Sequence, residues 1–322
     1  MARTEFPKCI IASINFKGGT GKTTVTIALA EGLGRQLHKR ILIIDCDFQC
    51  SASIALLGRQ ALNNLIALNL TLDCQLERQL AQRDASYLMK AAVRARHCVK
   101  ETSELMFVLP GSPDMPRRER QILSSFLSDG DIHTAYQRAA TQIAEHYRSL
   151  LEDFDLILID CPPGLTVFTE AAIRAADGLI IPTLPNEISF AAIDHLRHEI
   201  ARARPDRTLE DLLVGTVISK LSDRASGDHH KYHSASIEGL LDRVAPRFRV
   251  LRPYLPYCRE LESMTWRNDE AGTVDFEARY GRSAQAIEKL TDALIGRYRA
   301  LVPSKRPTAK SATRSAAKCL IS

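Results

Sequence analysis

Short β-branched apolar segments alternate with longer helix-like stretches along most of this 322-residue chain, which predicts an α/β fold: a mainly parallel, twisted sheet flanked by helices. Two further observations support it. Several of the segments, residues 41–44 and 156–159 most clearly, are apolar at consecutive positions, as strands buried on both faces must be. A glycine-rich turn also stands between the first such segment and the first long helix-like stretch. In chain order, strands are expected over residues 9–15, 40–45, 105–109, 154–160, 178–183, 212–219 and 250–255. Helices are expected over residues 22–37, 117–127, 132–151, 190–204, 234–244 and 283–301. Between the second and third strands lies a longer segment, residues 58–104. Residues 74–100 within it carry six Lys/Arg against two acids, and Leu76, Leu80 and Leu88 fall at helical spacing. A basic helical insertion is expected there, as a solvated helix face or as a surface for nucleic acid or a partner.

Composition narrows the function classes. With 45% hydrophobic and 25% charged residues the chain sits at globular averages, which excludes a disordered, collagen-like or disulfide-scaffold protein. The longest apolar runs reach four or five residues, far below the ~20 that cross a bilayer, so no membrane partner is expected. No apolar signal core follows Met1, which points to a cytoplasmic protein. Cysteines stand at positions 9, 46, 50, 74, 98, 161, 258 and 319 without a zinc-type pair, and reduced, buried thiols are the expectation. Lys305, Arg306, Lys310, Arg314 and Lys318 make residues 303–322 basic with no acid, so the rest of the chain balances at 38 charges of each sign. Residues 1–302 are therefore expected as one domain, and 303–322 as a disordered tail that touches a polyanion or serves as a solubilising end.

The glycine-rich turn carries the chemistry. Asn15, Phe16, Lys17, Gly18, Gly19, Thr20, Gly21, Lys22, Thr23 and Thr24 run directly into a helix. The glycines let backbone N–H groups wrap closely, the helix N-terminus favours negative charge, Lys22 can reach β and γ oxygens, and Thr23 can hold Mg²⁺. The common form of this loop has glycine where this chain has Phe16, and it lacks a lysine at the position of Lys17. A second lysine so close to the phosphates need not be satisfied by its own loop and can neutralise phosphate across a dimer interface.

At Lys17-Gly18-Gly19-Thr20-Gly21-Lys22-Thr23 the chain resembles the deviant Walker A ATPases of the ParA/MinD class, P-loop NTPases, and among them the Soj-like ParA partition ATPases. The resemblance covers about residues 9 to 300. Residues 41–53, with Asp45 and Asp47, look like the family's second motif, although Phe48 stands where proline is usual. Residues 154–164, with Asp160 after four apolar residues, are similar to its Walker B and switch segment, where a strand-terminal aspartate holds a Mg²⁺-bound water. The resemblance implies an ATP- and Mg²⁺-dependent hydrolase whose subunits form an ATP-sandwich homodimer. Lys17 and Lys22 would contact phosphates, Lys17 those of the other subunit. Asp47 would orient the attacking water, Thr23 and Asp160 would serve the metal, and Asp45 would support its shell. It further implies non-specific DNA binding, a nucleoid location when ATP-bound, and release by a ParB-like or other activating partner. Arg224 and Arg259 occupy places similar to those of DNA-contacting arginines in ParA-type proteins.

Two other readings share the same core. A MinD-like membrane or scaffold switch needs a terminal amphipathic helix, and residues 303–322 lack its apolar face. The terminal Cys319-Leu320-Ile321-Ser322 fits a prenylation box, a coincidence in a chain resembling a bacterial family. An iron–sulfur carrier needs thiolates that meet, and Cys46, Cys50 and Cys161 match no cluster spacing. His229, His230 and His233 lack the accompanying ligands of a zinc site and are expected on a surface loop.

Overall fold

The two-sided apolar segments become the interior of a single eight-stranded sheet in the computed structural model, which describes residues 6–82, 87–127, 131–219, 229–256, 258–263 and 272–301. The strands are β1 (Cys9–Ser13), β2 (Ile41–Asp45), β3 (Val93–Arg94), β4 (Met106–Leu109), β5 (Leu156–Asp160), β6 (Gly178–Thr183), β7 (Leu213–Ile218) and β8 (Val250–Leu251). Their order across the sheet is β3-β4-β2-β5-β1-β6-β7-β8. Every pairing is parallel except that of the short edge strand β3 with β4.

Side-chain alternation along β1 shows why the sheet is covered on both sides. Ile10 and Ala12 pack into one core with helices Met115–Ser125, Ile132–Ser149, Val167–Ala175 and Glu187–Ala203. Cys9 and Ile11 pack into a second core with helices Lys22–Leu37, Ser51–Leu57 and Ala284–Leu301. The chain leaves β1 toward β2 on one side and crosses from β5 to β6 on the other, so a crevice opens at the carboxyl ends of the strands beside β1. Register sets three polar residues there side by side: Ser13 of β1, Asp160 of β5 and Asp45 of β2.

Several elements differ from expectation. The segment 58–104 holds helices Arg59–Ala67, Leu72–Gln82 and Tyr87–Ala91, as a helical insertion should, but they are followed by a strand, β3, that was not expected. The last strand stops at Leu251 instead of 255, because Pro253 has no N–H to continue a ladder. Helix Val167–Ala175 lies where none was expected; the Thr166 side chain caps it by accepting from Thr169 N. Helix Glu187–Ala203 begins three residues early because Asn186 Oδ1 accepts from Ser189 N at 2.9 Å. Helix His229–Phe248 extends past both ends of the expected 234–244.

Candidate nucleotide site

The loop between β1 and helix Lys22–Leu37 is shaped by two left-handed glycines, Gly19 (φ 72°) and Gly21 (φ 78°), a region that side chains avoid. A Cβ on Gly21 would also stand 3.2 Å from Ser219 Oγ. That hydroxyl donates to the Thr20 carbonyl at 2.6 Å, fastening the loop to the end of β7. Asn15 pins the other end: its Nδ2 donates to the Pro182 carbonyl at 2.8 Å and its Oδ1 accepts from Lys17 N at 2.9 Å. Lys22, almost wholly buried, closes the curve by donating from Nζ to the Lys17 carbonyl at 3.2 Å.

Helix Lys22–Leu37 presents two hydroxyls to one carboxylate. Thr23 Oγ1 donates to Asp160 Oδ2 at 2.7 Å and Thr26 Oγ1 to Asp160 Oδ1 at 3.2 Å. Thr26 sits three residues after Thr23 on the same helical face, so this second hydroxyl was in principle readable from the sequence. Asp45 is wholly buried and braced by Ser53, whose N and Oγ donate to Oδ2 at 2.8 and 2.6 Å. Its Oδ1 accepts from Asp47 N at 3.2 Å. Asp45 thus shapes the loop that carries Asp47, and it is Asp47 that faces the cavity. Asp47 Oδ1 in turn accepts from Gln49 N at 2.9 Å, so a side-chain turn fixes the backbone at Phe48, where the resembling family has proline.

The crevice above the loop is a cavity of about 460 Å³. Residues 18–25 form its floor, with Asp47, Pro163 and Ser219 beside them, and Leu255, Cys258 and Glu262 close the far end. Gly18 and Gly19 have nothing within 4 Å of where a Cβ would project, which leaves their backbone open to a ligand. Lys17 is not among the lining residues; its ammonium donates to Ser189 Oγ at 3.0 Å. Arg259 is exposed at the start of helix Arg259–Ser263, next to Cys258. Arg224 and residues 303–322 lie outside the described residues, as do the side chains of His229, His230 and His233.

Electrostatically the site is an excess of buried acid awaiting positive charge. Burial lifts the Asp160 carboxyl well above the usual carboxylate range, and repulsion from Asp45 adds to it against the Thr23 hydrogen bond and Lys22. Asp45 is raised by burial too, opposed by its bonds from Ser53. Lys22 is lowered by burial, with Asp160, Cys161 and Asp47 pulling it back toward its charged form. A carboxyl raised on folding takes up protons from the unfolded to the folded state, so its contribution to stability falls as pH climbs from about 4 toward the raised value. Asp160→Asn is therefore expected to raise the melting temperature of the nucleotide-free protein by roughly 2–4 °C at pH 8 and by less at pH 5. Melting curves across pH check this, and an equal gap at every pH would contradict it.

Among the described residues the cysteines form no centre of their own. All seven described thiols are buried and free, and burial pushes Cys46, Cys50 and Cys161 upward, away from the thiolate form. No group of three His, Cys, Asp or Glu suited to a metal ion occurs among the described residues.

Backbone amides around open glycines, a helix N-terminus and a buried lysine together suit a polyphosphate, and the Thr23 hydroxyl beside the Asp160 carboxylate is the oxygen donor set that suits Mg²⁺. A phosphate loop of this build at the switch point of a parallel sheet defines a P-loop nucleotide-binding protein. A family described as an AAA domain matches residues 8–212, and the chain belongs to it, as a P-loop ATPase of the ParA/MinD type. The chain is 25% identical over 221 residues to the chromosome partitioning protein ParA of Myxococcus xanthus, covering 68% of each. Among solved structures, apo McdA from Cyanothece superposes with a TM-score of 0.63 at 20% identity, over 89% of this chain and 99% of that one. Cobyrinic acid a,c-diamide synthase from Mycobacterium smegmatis, solved with an ATP analogue and magnesium, gives 0.64 at 23% identity, over 93% and 97%. No helix among the described residues is long and apolar enough to cross a membrane.

Proposed function

We propose that this ParA-like partition ATPase binds ATP with Mg²⁺, pairs with a second copy of itself across the nucleotide, and in that state binds DNA without sequence preference. Hydrolysis stimulated by a ParB-like or other activating partner releases it, in plasmid or chromosome partitioning or in cargo positioning, with the ATP form on the nucleoid. The observation that carries this reading is the direction of Lys17. Its backbone belongs to the phosphate loop, yet its half-buried side chain turns out of the subunit's own cavity, the ammonium donating to Ser189. The surroundings suit such a partner. Of the six large apolar side chains exposed among the described residues, Phe48 adjoins Asp47, Leu165 adjoins Gly164 of the loop after β5, and Ile188 adjoins Ser189.

In this reading the loop amides and Lys22 hold the phosphates, Thr23 and Asp160 hold Mg²⁺ with Asp45 behind them, and Asp47 orients the attacking water. Mg²⁺, when bound, neutralises charge developing on the phosphate oxygens. Arg259, exposed beside the cavity's far wall, and Arg224 are the proposed DNA contacts, aided by the basic tail 303–322 and the basic insertion within 58–104. Gel filtration with saturating ATP tests the dimer. Wild type should elute as a dimer, Lys17→Ala as a monomer that still binds ATP, and Asp47→Ala as a dimer that persists for hours because hydrolysis is lost. A wild-type protein that stays monomeric with ATP, or a monomeric Asp47→Ala variant, contradicts the assignment.

A further inference from the structure

We propose that Ser189 is a positioning residue: its hydroxyl holds the Lys17 ammonium in a resting place outside the cavity and so sets how readily two ATP-bound subunits join. The proposal rests on the reading of Lys17 as the lysine that reaches across a dimer. Ser189 lies 172 residues from Lys17 in sequence, and its side chain accepts the lysine's hydrogen bond at 3.0 Å. It is wholly buried, and its own N–H is taken by Asn186 Oδ1, which fixes it in the first turn of helix Glu187–Ala203. At the other end of the contact, Asn15 Oδ1 accepts from Lys17 N and holds the lysine's backbone. Both partners are therefore set in place, and the contact is part of the fold.

It is also a weak resting place for a cation. A helix N-terminus carries partial positive charge, which disfavours an ammonium in its first turn. The acceptor is a neutral hydroxyl, so only the donor of this bond is charged, whereas an ammonium held to a phosphate gains the attraction of two opposite charges as well. The geometry thus holds Lys17 extended and out of its own site while letting a partner's nucleotide take it over. Removing the hydroxyl removes a contact present only before pairing, and replacing it with a carboxylate strengthens that contact.

The test measures the protein concentration at half-dimerisation with ATP, basal ATP turnover, and ADP affinity, for wild type, Ser189→Ala, Ser189→Thr and Ser189→Asp. Ser189→Ala should lower the half-dimerisation concentration by roughly threefold or more and raise turnover at low protein concentration in step. Ser189→Asp should shift both the other way, and Ser189→Thr, which keeps a hydroxyl, should stay near wild type. ADP affinity within about twofold of wild type in all three variants certifies an intact monomer site and fold. If wild type dimerises with ATP while Ala and Asp move the midpoint in the same direction, or move neither, the role of Ser189 is overturned and that of Lys17 stands. If wild type never dimerises with ATP, the reading of Lys17 falls, and this inference with it.

Discussion

Lys22→Ala should lose nucleotide binding, by about 3–5 kcal/mol, a hundredfold or more in Kd for ATP, with the fold intact. Lys22 is the cation that the loop curls around. It is almost wholly buried, it donates to the Lys17 carbonyl across the loop, and it lies within the field of Asp160 and Asp47. Without it, phosphates would enter a site whose nearest side-chain charges are carboxylates. Since burial already works against the charged lysine, its removal costs the empty protein little, so far-ultraviolet circular dichroism should match wild type while calorimetric titration with ATP shows no saturable heat. Binding within threefold of wild type would show that the cavity is not the phosphate site.

The second large effect is on stability. Glu31 and Arg279 are buried and do not line the cavity, with Arg279 Nε 2.8 Å from Glu31 Oε2, and the Tyr280 hydroxyl donates to the same oxygen. Glu31 belongs to helix Lys22–Leu37 and Arg279 to helix Phe276–Tyr280, so the pair ties the phosphate-loop helix to the C-terminal part of the fold. Burial raises the Glu31 carboxyl, and Arg279 is the main influence drawing it back down. Arg279→Ala leaves that carboxyl buried with no countercharge and is expected to cost about 3–5 kcal/mol by denaturant unfolding. Replacing both partners at once, Glu31→Leu with Arg279→Met, should recover most of that loss, because a buried pair is offset largely by its own desolvation. A single-variant loss below 1 kcal/mol, or a double variant as unstable as the single, would contradict the assignment.

What the chain discloses before folding follows from where its information is local. Strands β1, β2, β5, β6 and β7 are apolar at consecutive positions because both faces are covered, and the phosphate loop is a contiguous string; both are readable in order. Edge elements are not. β3 is two residues long, with Val93 partly buried and Arg94 exposed. Helix Val167–Ala175 is nine residues long and buries even Thr169 and Glu170, so burial there does not follow the polarity of the sequence. Within the site, Thr23 and Asp160 stand in local motifs, and Ser53, which braces Asp45, ends the segment that resembles the second motif. Ser189 carries no local signal, since only the pairing of β1 with β6 brings it to Lys17. The placement of Asp45 behind Asp47, out of the cavity, likewise depends on the register of β2 with β5.

In the proposed cycle, Lys17 makes ATP binding by one subunit the condition for gripping DNA with two. Binding of a non-specific duplex at one stated moderate salt concentration, with ATP, with ADP and without nucleotide, for wild type and Lys17→Ala, tests it most directly. Wild type should bind only with ATP, with affinity falling steeply as salt rises, and Lys17→Ala should not bind in any state. Wild type that fails to bind in every state, or a Lys17→Ala protein that binds with ATP as wild type does, would contradict it.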